Sequence, residues 1–262
     1  MAKACQLFSS SKGNCILISC MGHNYLVDIG VSAKRCENAL FDRGINPESI
    51  EGIFVTHEHS DHAKGIRVFA SRHKTPVYAA SACIDKMLLD EIINDKVNIQ
   101  PIGTKLELED TTVLTFKQSH DSVDCIGFRF NLPDNRSISV CTDTGYVTDS
   151  AKEVLEGTDM IFIESNHEIS MVQTGPYSYN LKQRILGVEG HLSNFACAEY
   201  IKQLAKSGTT RFVLSHLSEE NNMPDIARQT AICALGEIGL EENIDYRLYV
   251  SPTESYDKGI SL

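Results

Sequence analysis

Apolar residues arrive in short runs through the first half of the chain: "CQLF", "NCILIS", "NYLVDIG", "EGIFVTH", "TPVYAA", "KLELED", "TVLTFKQSH", "CIGFRFNL" and "RSISVCTD". Runs of this length, rich in β-branched and aromatic residues and bounded by polar clusters, predict strands. "MGHN" and "LPDNR" carry turn chemistry between two such runs and predict hairpin connections. Apolar residues at helical spacing occupy 32–43, 63–72, 81–92, 148–156, 193–206 and 224–238, with Ser32 placed to cap the first and Gly44 to end it. From Met160 onward, helices alternate with the strands "MIFIES", "RFVLSH" and "YRLYVS". No linker, low-complexity segment or shift of composition divides the chain. Many strands with peripheral helices in one piece predict an α+β sandwich, two packed sheets with helices outside, as a single domain over 1–262.

Composition changes this picture in three respects. Lys and Arg number 24 against 35 Asp and Glu, a net charge of −11. The average surface therefore repels polyanions, which argues against a general nucleic-acid coat protein; a nuclease can offset the global sign with metal ions and a local basic patch. Nine cysteines are scattered without a CxxC pair, so neither a disulfide scaffold nor a zinc ribbon is expected, and reduced thiols in a cytoplasmic protein are. The opening Met-Ala-Lys-Ala-Cys lacks the apolar core of a signal peptide, and no apolar run approaches the ~20 residues of a membrane span, so no membrane partner is expected.

Candidate chemistry concentrates in "VTHEHSDHAKG", residues 55–65. His57, His59, Asp61 and His62 fall at i, i+2, i+4 and i+5, spread around the circumference of any helix. They are expected on a tight loop after the strand "GIFV", or at the start of the helix that follows. Imidazole nitrogen and carboxylate oxygen, without thiolate, suit zinc, manganese or iron. A second pattern extends the site. His57 follows a strand ending in a hydroxyl residue, and the same grammar places His120 after "TFKQS", Asp143 after "ISVCT" and His216 after "FVLS". Strand ends along one edge of a sandwich would bring these four together. Seven candidate ligands are too many for one zinc and suit two metals. His57, His59 and His120 form one expected site and Asp61, His62 and His216 the other, with Asp143 as the bridge.

"THEHSDH" with those later partners resembles the metallo-β-lactamase superfamily, whose fold is an αββα sandwich with a dinuclear site at one edge. Together with "LFSSSKGNCILI", "SHD" at 119–121, "ESNHE" at 164–168, "LKQRILGVEGHLSN" and "LSHLSEENN", the chain is similar to the YycJ/WalJ-type branch. That branch implies a cytoplasmic metal-dependent exonuclease acting on DNA. Ser10 stands where the family's opening loop usually has glycine. The resemblance also makes Asp28, in "YLVDIG", a residue that orients ligands from behind rather than binding metal.

The chemistry expected of such a site is in-line displacement at a phosphodiester. Two metals about 3.5–4 Å apart clamp the attacking and leaving oxygens, and a bridging hydroxide is the nucleophile. Asp143 would hold that hydroxide, and Asp61 could take up a proton as well as bind metal. The leaving oxygen needs a proton donor. His191, in "EGHLSN" just before a helix N-terminus that favours anions, is the candidate; its bland alternative is a backbone-bonded capping residue. Asn14, His167 and Ser193 are further candidates for substrate contact, although Glu164 and His167 could simply pair with each other. Lys64, Arg67, Arg72 and Lys74, and Lys182 with Arg184, are the expected anion patches, while His23 and His73 are read as surface residues. A small-molecule phosphodiesterase, or a thioester or lactone hydrolase, could use the same metals. The short tail after His216 leaves little room for the helical region of glyoxalase-II-type enzymes. No basic RNA-binding arm is visible, and the stretch between Asp143 and His216 is filled by core elements. A non-catalytic scaffold would be expected to have lost ligands, and all seven are present.

Overall fold

Strands covered on both faces read as unbroken apolar runs, and those that cover one face read as alternation. "SISVC" and "MIFIE" are of the first kind and are buried at every position. The computed structural model describes residues 1–255 and 259–262, and among these it holds two seven-stranded sheets. The first contains β1 (Lys3–Phe8), β2 (Cys15–Cys20), β3 (His23–Val27), β4 (Ile50–Phe54), β5 (Val77–Ala79) and β6 (Ile99–Pro101). The second contains β7 (Lys105–Glu107), β8 (Thr112–Lys117), β9 (Ile126–Asn131), β10 (Ser137–Cys141), β11 (Met160–Glu164), β12 (Arg211–Ser215) and β13 (Arg247–Val250). The short β14 (Ile260–Ser261) pairs with β1 at the edge of the first sheet. Each sheet passes from antiparallel neighbours to parallel ones: β3 to β6 run parallel in the first, and β10 to β13 in the second.

Alternation sorts the side chains of the second sheet into two cores. Val140, Phe162 and Val213 point between the sheets, where they join Tyr25, Phe54 and Phe130, and the Phe54 and Phe130 rings meet edge to face at 4.9 Å. Cys141, Ile161, Ile163 and Leu214 point the other way, to a layer of helices. These are α5 (Asp149–Leu155), α8 (Asn194–Lys206) and α9 (Pro224–Gly236), while α1 (Ala33–Phe41), α2 (Ser60–Ala63), α3 (Ile66–His73) and α4 (Ser81–Leu89) accompany the first sheet. The result is the expected αββα sandwich, and Cys141 lies in the outer core. Ser32 caps α1 by accepting from Arg35 N–H, as predicted. His23 differs from expectation: Met21 and Gly22, at φ 53° and 101°, complete the hairpin turn, and His23 already pairs with Cys20 in β3. Two further helices, α6 (Ile169–Thr174) and α7 (Tyr179–Leu186), fall where no apolar periodicity predicted them. The reason is physical: α7 buries none of its residues, so it carries no core-facing stripe to read.

Register aligns the ends of the parallel strands. Cys141 lies opposite Ile163, and Glu164 opposite Ser215, so the residues that follow β10, end β11 and follow β12 come level at one edge. This is the carboxyl end of the strands, where open α/β sheets place their ligands.

Candidate metal centre

Three residues at this edge take a left-handed backbone: Asp28 after β3 (φ 60°), Asp143 after β10 (φ 63°) and His216 after β12 (φ 55°). Asp and His tolerate this region better than most residues, yet such conformations cost on the order of 1–3 kcal/mol and persist where the surroundings over-determine them. His216 N–H donates to Ser9 Oγ (2.9 Å) and Asp28 N–H to the Phe54 carbonyl (2.9 Å), which fixes two of the three turns.

The "HEHSDH" stretch divides between loop and helix. His57 lies on the loop after β4, His59 stands at the N-cap position of α2 without a side-chain capping bond, and Asp61 and His62 lie within that one-turn helix. One ligand atom from each of His57, His59 and His120 lies within 4.8 Å of the others, and the same holds for Asp61, His62 and His216. Asp143 adjoins both sets: it groups with His57 and His62 within 4.8 Å, and its Oδ2 lies 3.3 Å from His62 Nε2 and its Oδ1 3.3 Å from His216 Nδ1. All seven sequence-predicted ligands are thus brought to one edge.

The donor atoms fit divalent cations. His57 Nε2, His216 Nε2 and Asp143 Oδ2 are buried and have no hydrogen-bond partner among the described residues, an arrangement that costs free energy unless something answers those atoms. Burial, reinforced by the neighbouring His62, His120 and His59, pushes the His57 imidazole well below its ordinary range, so it is a neutral ring with a free lone pair. Burial would lower His62 too, but the carboxylates of Asp143 and Asp28 raise it to about 9. His216 is likewise raised despite burial, with Asp143 the main cause. The edge therefore holds an excess of buried negative charge, which bound cations would neutralise in place of these protons.

Asp28 holds the cluster from behind. Its Oδ2 lies 2.7 Å from His62 Nδ1 and accepts from Thr56 Oγ1 at 2.8 Å; Thr56 Oγ1 in turn lies 2.9 Å from His57 Nδ1. One carboxylate thus orients two rings so that each presents Nε2, the arrangement expected behind metal-binding histidines. Gly30 makes this packing possible, because a Cβ there would lie 1.6 Å from the Asp61 carbonyl oxygen.

Glu164 is the functional residue that the sequence pattern did not single out. It is fully buried at the end of β11, and its Oε1 lies 2.8 Å from both His216 Nδ1 and His191 Nδ1. Its Oε2 accepts from Thr144 N–H (2.9 Å) and Leu192 N–H (3.1 Å). Burial opposes ionisation, but the two histidines outweigh it and hold the carboxyl below the usual range. Although Asp143, Glu164, His191 and His216 can be grouped as ligands, the two imidazole Nδ1 atoms sit at hydrogen-bond length from Glu164. Glu164 is therefore a carboxylate that positions histidines. The one signal of it was a charged residue ending an otherwise apolar run. The pair that Glu164 and His167 could have formed is absent, and His167 Nδ1 has no hydrogen-bond partner among the described residues.

Each residue of "EGHLSN" from Gly190 onward has a separate task. The Gly190 carbonyl lies 3.1 Å from His120 Nδ1, which turns His120 Nε2 to the cluster. His191 is held by Glu164 through Nδ1, leaving Nε2 as its free ring nitrogen, and its side chain is 20% exposed. Burial lowers the His191 pKa, but the adjacent Glu164 more than offsets this and raises it. Ser193 Oγ caps α8 by accepting from Ala196 N–H, and Asn194 N–H donates to the His167 carbonyl. These contacts occupy the α8 N-terminus, so the anion site expected there is closed by its own caps.

A cavity of ≈270 Å³ opens over the cluster, lined on one side by His59, Asp61, His120, Asp143, His191 and His216. Asn14, His167 and Ser193 are not among its lining residues. Asn14 is buried behind Asp61 and His62, with Nδ2 3.1 Å from His62 Nε2, and Ser11 takes the cavity-facing place in its loop. His167 is 1% exposed, and burial lowers its pKa to about 4. Ser10 adapts to its non-glycine place without a left-handed backbone: its Oγ accepts from Lys12 N–H. Of the expected anion patches, Arg72 is paired with Glu37 and Lys182 bonds the Gln173 carbonyl; Arg184 alone of those six reaches the cavity. His23 pairs with Glu51, and His73 with Glu37.

Comparison with known proteins adds ancestry to this geometry. Residues 23–217 match the β-lactamase superfamily domain. The chain is 34% identical over 247 residues to the exodeoxyribonuclease WalJ of Streptococcus pneumoniae serotype 2 (strain D39 / NCTC 7466), covering 93% of this chain and 91% of that protein. It is 36% identical over 235 residues to the exodeoxyribonuclease YycJ of Bacillus anthracis, covering 89% of each. Among solved structures, the metallo-β-lactamase fold protein YhfI from Bacillus subtilis superposes with a TM-score of 0.71 over 97% of this chain and 98% of that one, at 15% identity. The paired sheets, the histidine and carboxylate edge and these relatives lead to one conclusion: the chain belongs to the metallo-β-lactamase superfamily.

Proposed function

We propose that the protein is a dinuclear metal-dependent phosphodiester hydrolase that degrades DNA from a strand end, in the 5′-to-3′ direction. The position of Asp143 carries this reading: one of its carboxylate oxygens lies within 4.8 Å of a ring nitrogen of His57, from the first set, and of His62, from the second, so one residue can serve both cations. The full-length relatives, both named exodeoxyribonucleases, support the substrate class. When bound, two divalent ions supply a hydroxide nucleophile near neutral pH and stabilise charge on the phosphoryl oxygens. His57, His59 and His120 would hold one ion and Asp61, His62 and His216 the other, with Asp143 shared. Nitrogen and oxygen donors without thiolate suit zinc, manganese or iron. Asp143 orients the attacking oxygen, and Asp61 can accept its proton. His191, braced by Glu164, offers Nε2 as the proton donor to the leaving sugar oxygen. Eight of the nine cysteines are buried, which fits a reducing cytoplasm. No helix among the described residues is long and apolar enough to cross a membrane.

The test compares end-labelled DNA, RNA and bis-p-nitrophenyl phosphate with manganese and with zinc. Hydrolysis of DNA and of the small diester is expected. Turnover of a thioester or lactone but of no phosphodiester would overturn the proposal.

A further inference from the structure

A left-handed residue at the end of a strand takes its own carbonyl out of the ladder, so that carbonyl needs a donor from elsewhere. Asp143 and His216 are such residues, and a side-chain amide answers each of them. Gln118 Nε2 donates to the Thr142 carbonyl and, at 3.1 Å, to the Asp143 carbonyl. Asn166 Nδ2 donates to the His216 carbonyl at 2.9 Å. Both amides are buried. Turning either one over would set an amide oxygen against a carbonyl oxygen. Gln118 keeps its orientation although its Oε1 is then a buried acceptor with no partner among the described residues. An unanswered buried acceptor costs about 1–3 kcal/mol, so stability alone does not select this arrangement.

We propose that Gln118 and Asn166 are positioning residues of the metal centre. Each fixes the turn of one ligand, and so the place at which that ligand presents its donor atoms. The inference rests on the two-metal reading above. Each amide also joins segments distant in sequence. Gln118 lies between β8 and His120, so it ties the bridging Asp143 to the segment that carries a ligand of the first set. Asn166 follows β11; its N–H donates to the Leu192 carbonyl (2.9 Å), and its own carbonyl accepts from Ser218 N–H (2.8 Å). It therefore ties His216, of the second set, to the segments that hold Glu164 and His191. The two amides differ in consequence. His216 is also held through its N–H by Ser9 Oγ, whereas the Asp143 carbonyl has besides Gln118 only the Cys125 thiol, a weak donor at 3.8 Å, among the described residues. Asp143 serves both ions, so loosening its turn acts on both; His216 serves one.

The experiment titrates metal-free, full-length protein with manganese in a calorimeter and compares three variants with the wild type. Gln118→Met keeps the side-chain volume and removes one donor, and Asn166→Ala removes the other. Asn24→Ala is the control: Asn24 is also buried, and its Nδ2 donates to the Gly22 carbonyl (3.1 Å) at the end of β3 opposite Asp28. Gln118→Met should weaken both binding steps by about tenfold or more. Asn166→Ala should weaken one step by about as much and leave the other unchanged. Asn24→Ala should lower the melting temperature of the metal-free protein and leave both steps as they are. Gln118→Ala takes the place of the methionine variant if that one does not fold. Wild-type affinities in either amide variant would overturn the proposal, and so would an Asn24→Ala protein that binds metal as weakly as they do. Uptake of a single equivalent by the wild type counts against the two-metal reading itself, whereas two equivalents with unchanged affinities in the variants count only against the two amides.

Discussion

Glu164 serves two histidines with different proposed tasks, His216 as a metal ligand and His191 at the cavity, from a site with no exposure to water. Two substitutions should therefore separate. His191→Ala removes a group that is outside the ligand sets, so turnover should fall by 10²–10⁴-fold with metal content intact. Glu164→Gln disturbs both histidines, and metal affinity as well as rate should fall by about 10–100-fold. Metal analysis beside steady-state kinetics distinguishes them; loss of metal from His191→Ala would contradict the division. At this scale the ligands were legible because a histidine after a hydroxyl-ended strand is rare chemistry at a repeated position. Glu164, Asn14 and Ser193 were misread or missed because what each does depends on partners distant in sequence. Thr56 relays between His57 and Asp28, whereas Ser215 turns instead to Gln6 and Ser251, so identical grammar serves different local purposes.

Two elements carry the edge, and each suggests a test. The turn from α7 into "EGHLSN" passes so close to itself that a Cβ on Gly190 would lie 2.3 Å from the carbonyl oxygens of Arg184 and Ile185. Gly190→Ala should cost about 1–3 kcal/mol and weaken metal binding, because the Gly190 carbonyl orients His120. Thermal melts with and without manganese check both effects. At the opposite end of the second sheet, Asp159 joins strands: its carboxylate accepts from Ser137 N–H and Oγ and pairs with Arg136. Burial opposes the charge, but the Arg136 and Ser137 contacts prevail and hold the Asp159 carboxyl below its ordinary range. A lowered folded pKa contributes stability that is complete above the unfolded value of ~4 and is lost as pH falls through the folded one. With solvent screening, Asp159→Asn should cost about 1 kcal/mol at pH 7 and progressively less as pH falls below ~4, as read by denaturant unfolding. Most strands and the long helices were legible because burial imposes periodicity. By contrast, α6 and α7 were not, because α7 covers a polar cavity and buries nothing.

Across the whole molecule, an acidic chain gathers its phosphate-handling groups at one edge, where three left-handed residues and several buried carboxylates are held against their own preferences. Cations reconcile these features, so metal should stabilise the fold as well as drive the chemistry. The central claim is a two-metal centre bridged by Asp143. It is tested most directly by titrating metal-free protein with manganese while following bound metal and bis-p-nitrophenyl phosphate hydrolysis together. The account predicts that both plateau at two equivalents per chain, and that Asp143→Ala retains less metal and no measurable hydrolysis. Full activity at one equivalent, or undiminished hydrolysis by Asp143→Ala, would contradict it.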